Sequence, residues 1–165
     1  MAEVAEPDEA LLARYSAQDG CYTDCFAVDV PGVVSFEAYV AAFYTTWLFK
    51  LERAILKLAV ERPSTDAQAV ELAAGRRDSF AAWDVEARAE DQLLMCDLAG
   101  RTRSWLMVAP AKGGTRLYFG SAVVPVTGKD GKPTLGFGFS ALLGFHKLYS
   151  KALLWAAVRK LKRAG

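Results

Sequence analysis

Four β-like runs in tandem, followed by one long amphipathic helix, limit what this chain can fold into. Phe80 to Ala89 alternates, with Trp83, Val85, Ala87 and Ala89 on one face and Asp84, Glu86 and Arg88 on the other. Gln92 to Leu98 follows a Glu90-Asp91 turn, and Arg101 to Ala109 follows Ala99-Gly100. Thr115 to Val126 follows Lys112-Gly113-Gly114, a hairpin signal. Strands this short, joined by turns this tight, predict an antiparallel meander. The last two runs are bulky on both faces: Trp105 and Met107 oppose Leu106 and Val108, and Leu117 and Phe119 oppose Tyr118. Both faces of that part of the sheet are therefore expected to be covered, by a subunit interface or by a second layer of the same chain.

Elements on either side complete the pattern. Cys21 to Val30 carries Tyr22, Phe26, Val28 and Val30 before Pro31-Gly32 and predicts a strand. Ser35 can cap a helix whose apolar positions are Phe36, Val40, Phe43, Trp47, Leu51, Ala54 and Leu58. Tyr39, Tyr44, Leu48 and Ile55 form a second stripe, so the apolar face is wide. Tyr44-Thr45-Thr46 is weak helix material, and Thr46 could cap a second helix after a break. Ala67 to Ala74 could form a short helical turn. Thr127 to Gly138 is glycine-rich and could hold a short strand or a loop, with Gly131 in a turn. Ser140 is expected to cap the final helix, which runs to about Arg163. Leu142, His146, Tyr149, Leu153 and Ala156 form its apolar stripe, broadened by Phe145, Leu148 and Trp155. The domain reading is an acidic arm over 1–20, loosely docked, and a single domain over 21–165.

Composition narrows the class. A chain of 165 residues, 53% hydrophobic, can bury a substantial core and is not globally disordered. Twenty basic against nineteen acidic side chains leave a formal charge of +1, which disfavours a generally basic nucleic-acid binder. The acidic N-terminus has no apolar run of a secretory signal, and no stretch approaches the roughly 18 apolar residues of a membrane span. A cytoplasmic location is the expectation. Cys21 and Cys25, four strand steps apart, would have Cα atoms about 13 Å apart, beyond the roughly 4.4–6.8 Å of a disulfide. All three cysteines are read as reduced, small apolar residues.

The order strand, helix pair, antiparallel meander and long C-terminal helix resembles the START and polyketide-cyclase-like helix-grip superfamily, over roughly residues 21–163. The fold class this implies is α+β, a curved antiparallel sheet wrapped around a long C-terminal helix. More locally, Tyr22-Thr23-Asp24-Cys25-Phe26, Ala42-Phe43-Tyr44-Thr45-Thr46 and Leu51-Glu52-Arg53 resemble an uncharacterised group of bacterial domains. The superfamily resemblance implies small, mostly apolar ligands or cyclase-type chemistry. It supplies no residue roles, because no catalytic motif matches.

Candidate chemistry is sparse. His146, the single histidine, shares the apolar stripe with Tyr149 three residues on. It could act as an acid or base near neutral pH, or simply hold a structural hydrogen bond. Asp84, Glu86 and Arg88 read as a solvated strand face. Glu52-Arg53, on an apolar helix, could form a buried pair with a sheet residue such as Arg103. Gly113-Gly114 and Gly136-Phe137-Gly138 lack the context of a phosphate loop. Cys21, Cys25, Cys96 and His146 lack metal-ligand spacing, so no metal and no cofactor is expected. The final helix carries Lys147, Lys151, Arg159, Lys160, Lys162 and Arg163 and no acid. Those cations could complement the helix dipole, meet the acidic arm or touch anionic lipid.

The leading expectation is an internal apolar cavity that binds a small hydrophobic molecule, lined by Trp83, Trp105, His146 and Tyr149. Its entrance is expected between the Gly128–Gly138 loop and the first helices. A cyclase, aromatase or hydratase using His146 is the alternative, and a membrane-surface or protein-interaction module is a third. A homodimer is compatible with each.

Overall fold

The structure, a computed structural model, describes residues 1–51, 64–127, 133–135 and 139–164. It is α+β, with a curved seven-stranded antiparallel sheet and a long C-terminal helix. The strands are β1 (Ala2–Glu3), β2 (Tyr22–Pro31), β3 (Ser79–Phe80), β4 (Trp83–Arg88), β5 (Gln92–Asp97), β6 (Thr102–Ala111) and β7 (Gly114–Val123), in the spatial order β1-β2-β7-β6-β5-β4-β3. A separate ribbon pairs β8 (Val126–Thr127) with β9 (Pro133–Thr134). The helices are α1 (Ala13–Ser16), α2 (Phe36–Tyr44), α3 (Asp66–Ala73) and α4 (Phe139–Ala164).

The meander follows the hydrophobic alternation, with two departures. The run from Phe80 splits at Ala81-Ala82, where Ala81 takes a left-handed φ of 53° and Phe80 pairs back onto Trp83. A bulge between Val85 and Ala87 then breaks the period of two. Val85 and Trp83 stay on the helix side, while Ala87 joins the opposite core. Glu86 bonds the arm residue Tyr15, whereas Arg88 donates to the carbonyls of Leu72 in α3 (3.0 Å) and of Arg77 after it (3.3 Å). The charged trio is thus not one solvated face.

Helix starts are chemically determined. Ser35 Oγ accepts from Ala38 N at 3.1 Å and caps α2. Thr65 and Gln68 form a reciprocal capping box on α3. Thr46 Oγ1 accepts from Phe49 N at 3.2 Å, capping a helical stretch that begins at Trp47. The break before it resets the helical phase. Phe49 takes the buried position, and Trp47 and Leu51, expected on the apolar face, are exposed. On α4 the buried residues are Ser150, Leu153, Leu154, Ala156, Ala157 and Val158, so Leu148 and Trp155 do not broaden the core but face outward. The helix begins at Phe139, one residue before Ser140. The Ser140 cap, the Leu142 and Phe145 side chains, Glu52-Arg53, Gly131 and most of the Gly128–Gly138 entrance lie outside the described residues and side chains.

Two apolar cores flank the sheet. On the helix side, Phe26, Leu93, Met95, Leu106, Leu117 and Phe119 pack against α2, α3 and α4. Phe43 sits 4.9 Å from Phe119 by ring centroids and 5.3 Å from Tyr44, so aromatic rings fill that layer. On the other side, Trp105, Tyr118, Leu94 and Ala122 pack against Ala10, Leu12 and Tyr15 of the arm. The second layer therefore comes from the same chain. The arm is not loose: β1 adds an edge strand to β2, Val4 N donates to Cys25 O at 3.0 Å, and Leu12 is fully buried. Buried Gln92 links arm and sheet. Its Oε1 accepts from Leu11 N (2.8 Å) and Trp105 Nε1 (2.9 Å), and its Nε2 donates to Glu9 O (3.1 Å). Position 120 must be glycine for this packing, since a β-carbon there would lie 2.7 Å from Leu12 Cδ2 and 2.9 Å from Trp105 Cε3.

Candidate functional site

Two features stand apart from ordinary core and surface. The first is a polar cluster under the first turns of α4. Asp24 shares strand parity with Phe26 and Val28, which turns its carboxylate toward the helices, and its side chain is 0% exposed. Ser121 on β7 is its register partner, and Ser121 Oγ donates to Asp24 Oδ1 at 2.6 Å. Tyr22 OH donates to Asp24 Oδ2 at 3.1 Å. His146 Nε2 lies 2.7 Å from Ser121 Oγ and 3.5 Å from Asp24 Oδ2.

The proton count assigns the roles. Ser121 has one proton and gives it to the carboxylate, so Nε2 carries the proton in its bond to Ser121. A nucleophilic triad needs the reverse, an unprotonated imidazole nitrogen facing the hydroxyl. Ser121 is also buried. The arrangement fixes an imidazole beside a carboxylate; it does not activate Ser121. Burial and the neighbouring Asp24 push the Tyr22 phenol well above its usual range, so it remains a donor. Burial, then the charges of Glu6 and Asp24, push the nearby Cys25 thiol up to about 12.

The second feature is an apolar groove of about 620 Å³. It lies between the end of β2, the start of α2 and the last turns of α4. Val30, Val33, Val34, Ala38, Val158 and Leu161 line it, with Lys162 at its border. Val33 is 98% exposed. The loop that presents it is pinned rather than slack. Gly32 adopts φ 79°, Thr115 Oγ1 donates to Gly32 O at 3.0 Å, and Val34 N donates back to Thr115 Oγ1 at 2.9 Å. Thr115 is itself buried, so the loop is anchored on the sheet.

No protein-family model matches the chain, and no curated protein does.

The four expected lining residues are not brought together. Trp105 lies on the arm side of the sheet, fully buried, with its indole N–H on Gln92. Trp83 and Tyr149 pack at the edge of the helix-side core. Trp83 is on β4, three strands from Ser121, or about 14 Å at ordinary strand spacing. His146 alone meets the polar cluster. Arg103 pairs with Glu86 at 2.8 Å and lies over the Tyr15 ring at 4.8 Å. Among the described residues no cluster of three histidine, cysteine, aspartate or glutamate side chains is arranged to hold a metal. The sequence signal for Asp24 was present: an acid at the inward parity of an apolar strand. The groove had no such signal, because it joins residues more than a hundred positions apart.

Proposed function

We propose that this chain is a helix-grip domain of the START and polyketide-cyclase-like kind that binds a small apolar molecule with an anionic end. The order of elements and the antiparallel sheet facing a long C-terminal helix support the fold reading. The observation that carries the ligand reading is the groove with Val33 held in solvent by a pinned loop. Leaving a valine in water forgoes its burial, roughly 1.5–3 kcal/mol, and anchoring the loop keeps that surface ready for a ligand. The volume lies within the range of small-molecule pockets. The apolar walls take a chain or ring, and the Lys162 ammonium suits a carboxylate. The proposed site is this groove, whose lining does not include Trp83, Trp105, His146 or Tyr149. No helix of the described residues is long and apolar enough to cross a membrane, and three free thiols fit a reducing compartment such as the cytoplasm.

Native and denaturing mass spectra of freshly purified protein test this reading. A mass retained natively and lost on denaturation, or a one-to-one adduct formed with added dodecanoate, is expected. Failure of both contradicts it.

A second reading rests on His146, whose side chain is 31% exposed and stands 3.5 Å from the buried Asp24 carboxylate. In it, the imidazole moves a proton for a bound substrate. Conversion of any substrate of the cyclase or hydratase class should then disappear in His146→Gln while ligand binding persists. Loss of neither would remove this reading.

A further inference from the structure

The outward face of α4 has an unusual composition. Leu148, Lys151, Trp155, Arg159 and Lys162 follow one another at steps of three and four, so they form a single exposed stripe. Leu148 is 67% exposed and Trp155 is 49% exposed. Beside it, Trp47, 68% exposed, and Leu51 project from the helical stretch that begins at Trp47. Between the two indoles runs a groove of about 390 Å³ lined by Thr46, Trp47, Trp155, Ala156, Arg159, Lys160 and Arg163. Three cations thus converge on one groove walled by two tryptophans. Arg159 is held over the Trp155 ring at 4.4 Å, and Lys160 Nζ donates to Thr45 O at 2.9 Å, so two of the three are positioned rather than free-swinging. Burial, and then the neighbouring charge of Lys50, lower the Lys160 pKa.

We propose that this face docks on the surface of an anionic phospholipid bilayer, with a lipid phosphate in the Trp47–Trp155 groove and the indoles and leucines in the headgroup layer. The physical match is specific. Tryptophan is at home where an apolar layer meets water, and a cationic helix face carrying exposed apolar groups is the signature of a surface-bound helix. Two other occupants fit less well. A second copy packed by a twofold axis through this groove would bring two sets of Arg159, Lys160 and Arg163 together. A nucleic acid would match the cations but leaves Leu51 and Leu148 with nothing to bury against. The arm does not neutralise the patch. Among the described residues it meets the cations of α4 at Lys147, through Glu3 at 2.7 Å, near the other end of the helix.

The test is co-sedimentation of the full chain with vesicles of phosphatidylcholine alone and of phosphatidylcholine containing about one-third phosphatidylglycerol. The expected result is binding to the anionic vesicles only, weakened about tenfold or more by raising salt past physiological strength. Tryptophan emission should shift to the blue on binding, and the shift should vanish in Trp47→Phe/Trp155→Phe, since Trp105 is buried and Trp83 partly so. Arg159→Glu/Arg163→Glu should abolish binding, with an unchanged circular-dichroism melt showing that the fold survives. Trp155→Ser, which alters no charge, gives a second route to the same loss. No binding to anionic vesicles at low salt overturns the proposal. So does equal binding to neutral vesicles, binding that survives the charge reversal, retention on an oligonucleotide without vesicle binding, or a dimer in solution that Trp155→Ser dissociates. None of these variants lines the groove at Val33, so this result stands or falls separately from the ligand reading.

Discussion

Trp105 and His146 stand on opposite faces of one sheet. Trp105 points from β6 toward the N-terminal arm, whereas Ser121, which binds His146, points from β7 toward α4. The two residues share no partner. Their effects on stability should therefore be independent: the loss in Trp105→Phe/His146→Gln should equal the sum of the single losses within about 0.5 kcal/mol. Denaturant unfolding of the four proteins measures this. A coupling energy above about 1 kcal/mol would contradict the placement.

The arm should act as a structural layer. Leu12 is fully buried against the sheet, so Leu12→Ala should cost about 2–5 kcal/mol. Gly120→Ala should cost about 1–3 kcal/mol from the opposite cause, because the new methyl group collides with Leu12, Trp105 and the Asp24 carbonyl oxygen. Paired with Leu12→Ala, the glycine substitution should cost less, since the truncated leucine vacates part of the space. Equal cost in both backgrounds would mean that the Asp24 carbonyl and Trp105, rather than Leu12, set the penalty.

Asp24 organises the polar cluster. Replacing it with alanine removes the acceptor that Ser121 and Tyr22 share and should cost roughly 1–3 kcal/mol. Asp24→Asn keeps an oxygen acceptor and should recover part of that loss. An alanine variant as stable as the parent in urea would show that water satisfies the cluster.

Alkali should loosen the arm side of the molecule. Burial, followed by the hydrogen bond to Glu86, pushes the Tyr15 phenol from 10.0 to about 12, and Cys25 rises from 9.0 to about 12. Both folded-state values are raised, so the fold prefers the protonated forms. Their contribution is complete below about pH 9 and is lost as pH climbs toward 12. Unfolding midpoints should fall across that window, and Tyr15→Phe should flatten the slope above pH 10. A midpoint independent of pH over the window would contradict the burial of both groups.

Much of the architecture was legible because it depends on local pattern. Alternation and turn residues gave the meander, and Ser35 and Thr46 announced their caps. What was not legible depends on phase and distance. One break at Thr45-Thr46 turned Trp47 outward and brought Phe49 in, although the three-and-four spacing ran on through it. One bulge after Val85 moved Ala87 and Arg88 to faces that strict alternation denied them. Trp105 followed its strand parity, but parity alone does not say which face meets α4 and which meets the arm. The groove at Val33 and the indole-lined groove at Trp155 both unite segments from distant parts of the chain, and no short motif marks either.

Calorimetric titration with dodecanoate of the parent chain and of Ala38→Trp tests the ligand reading most directly. Ala38 is exposed and lines the same groove as Val33, so an indole there occupies groove space. The account predicts saturable one-to-one binding to the parent, weakened in Lys162→Glu and lost in Ala38→Trp. The absence of saturable binding to the parent, or binding that Ala38→Trp leaves unchanged, would contradict it.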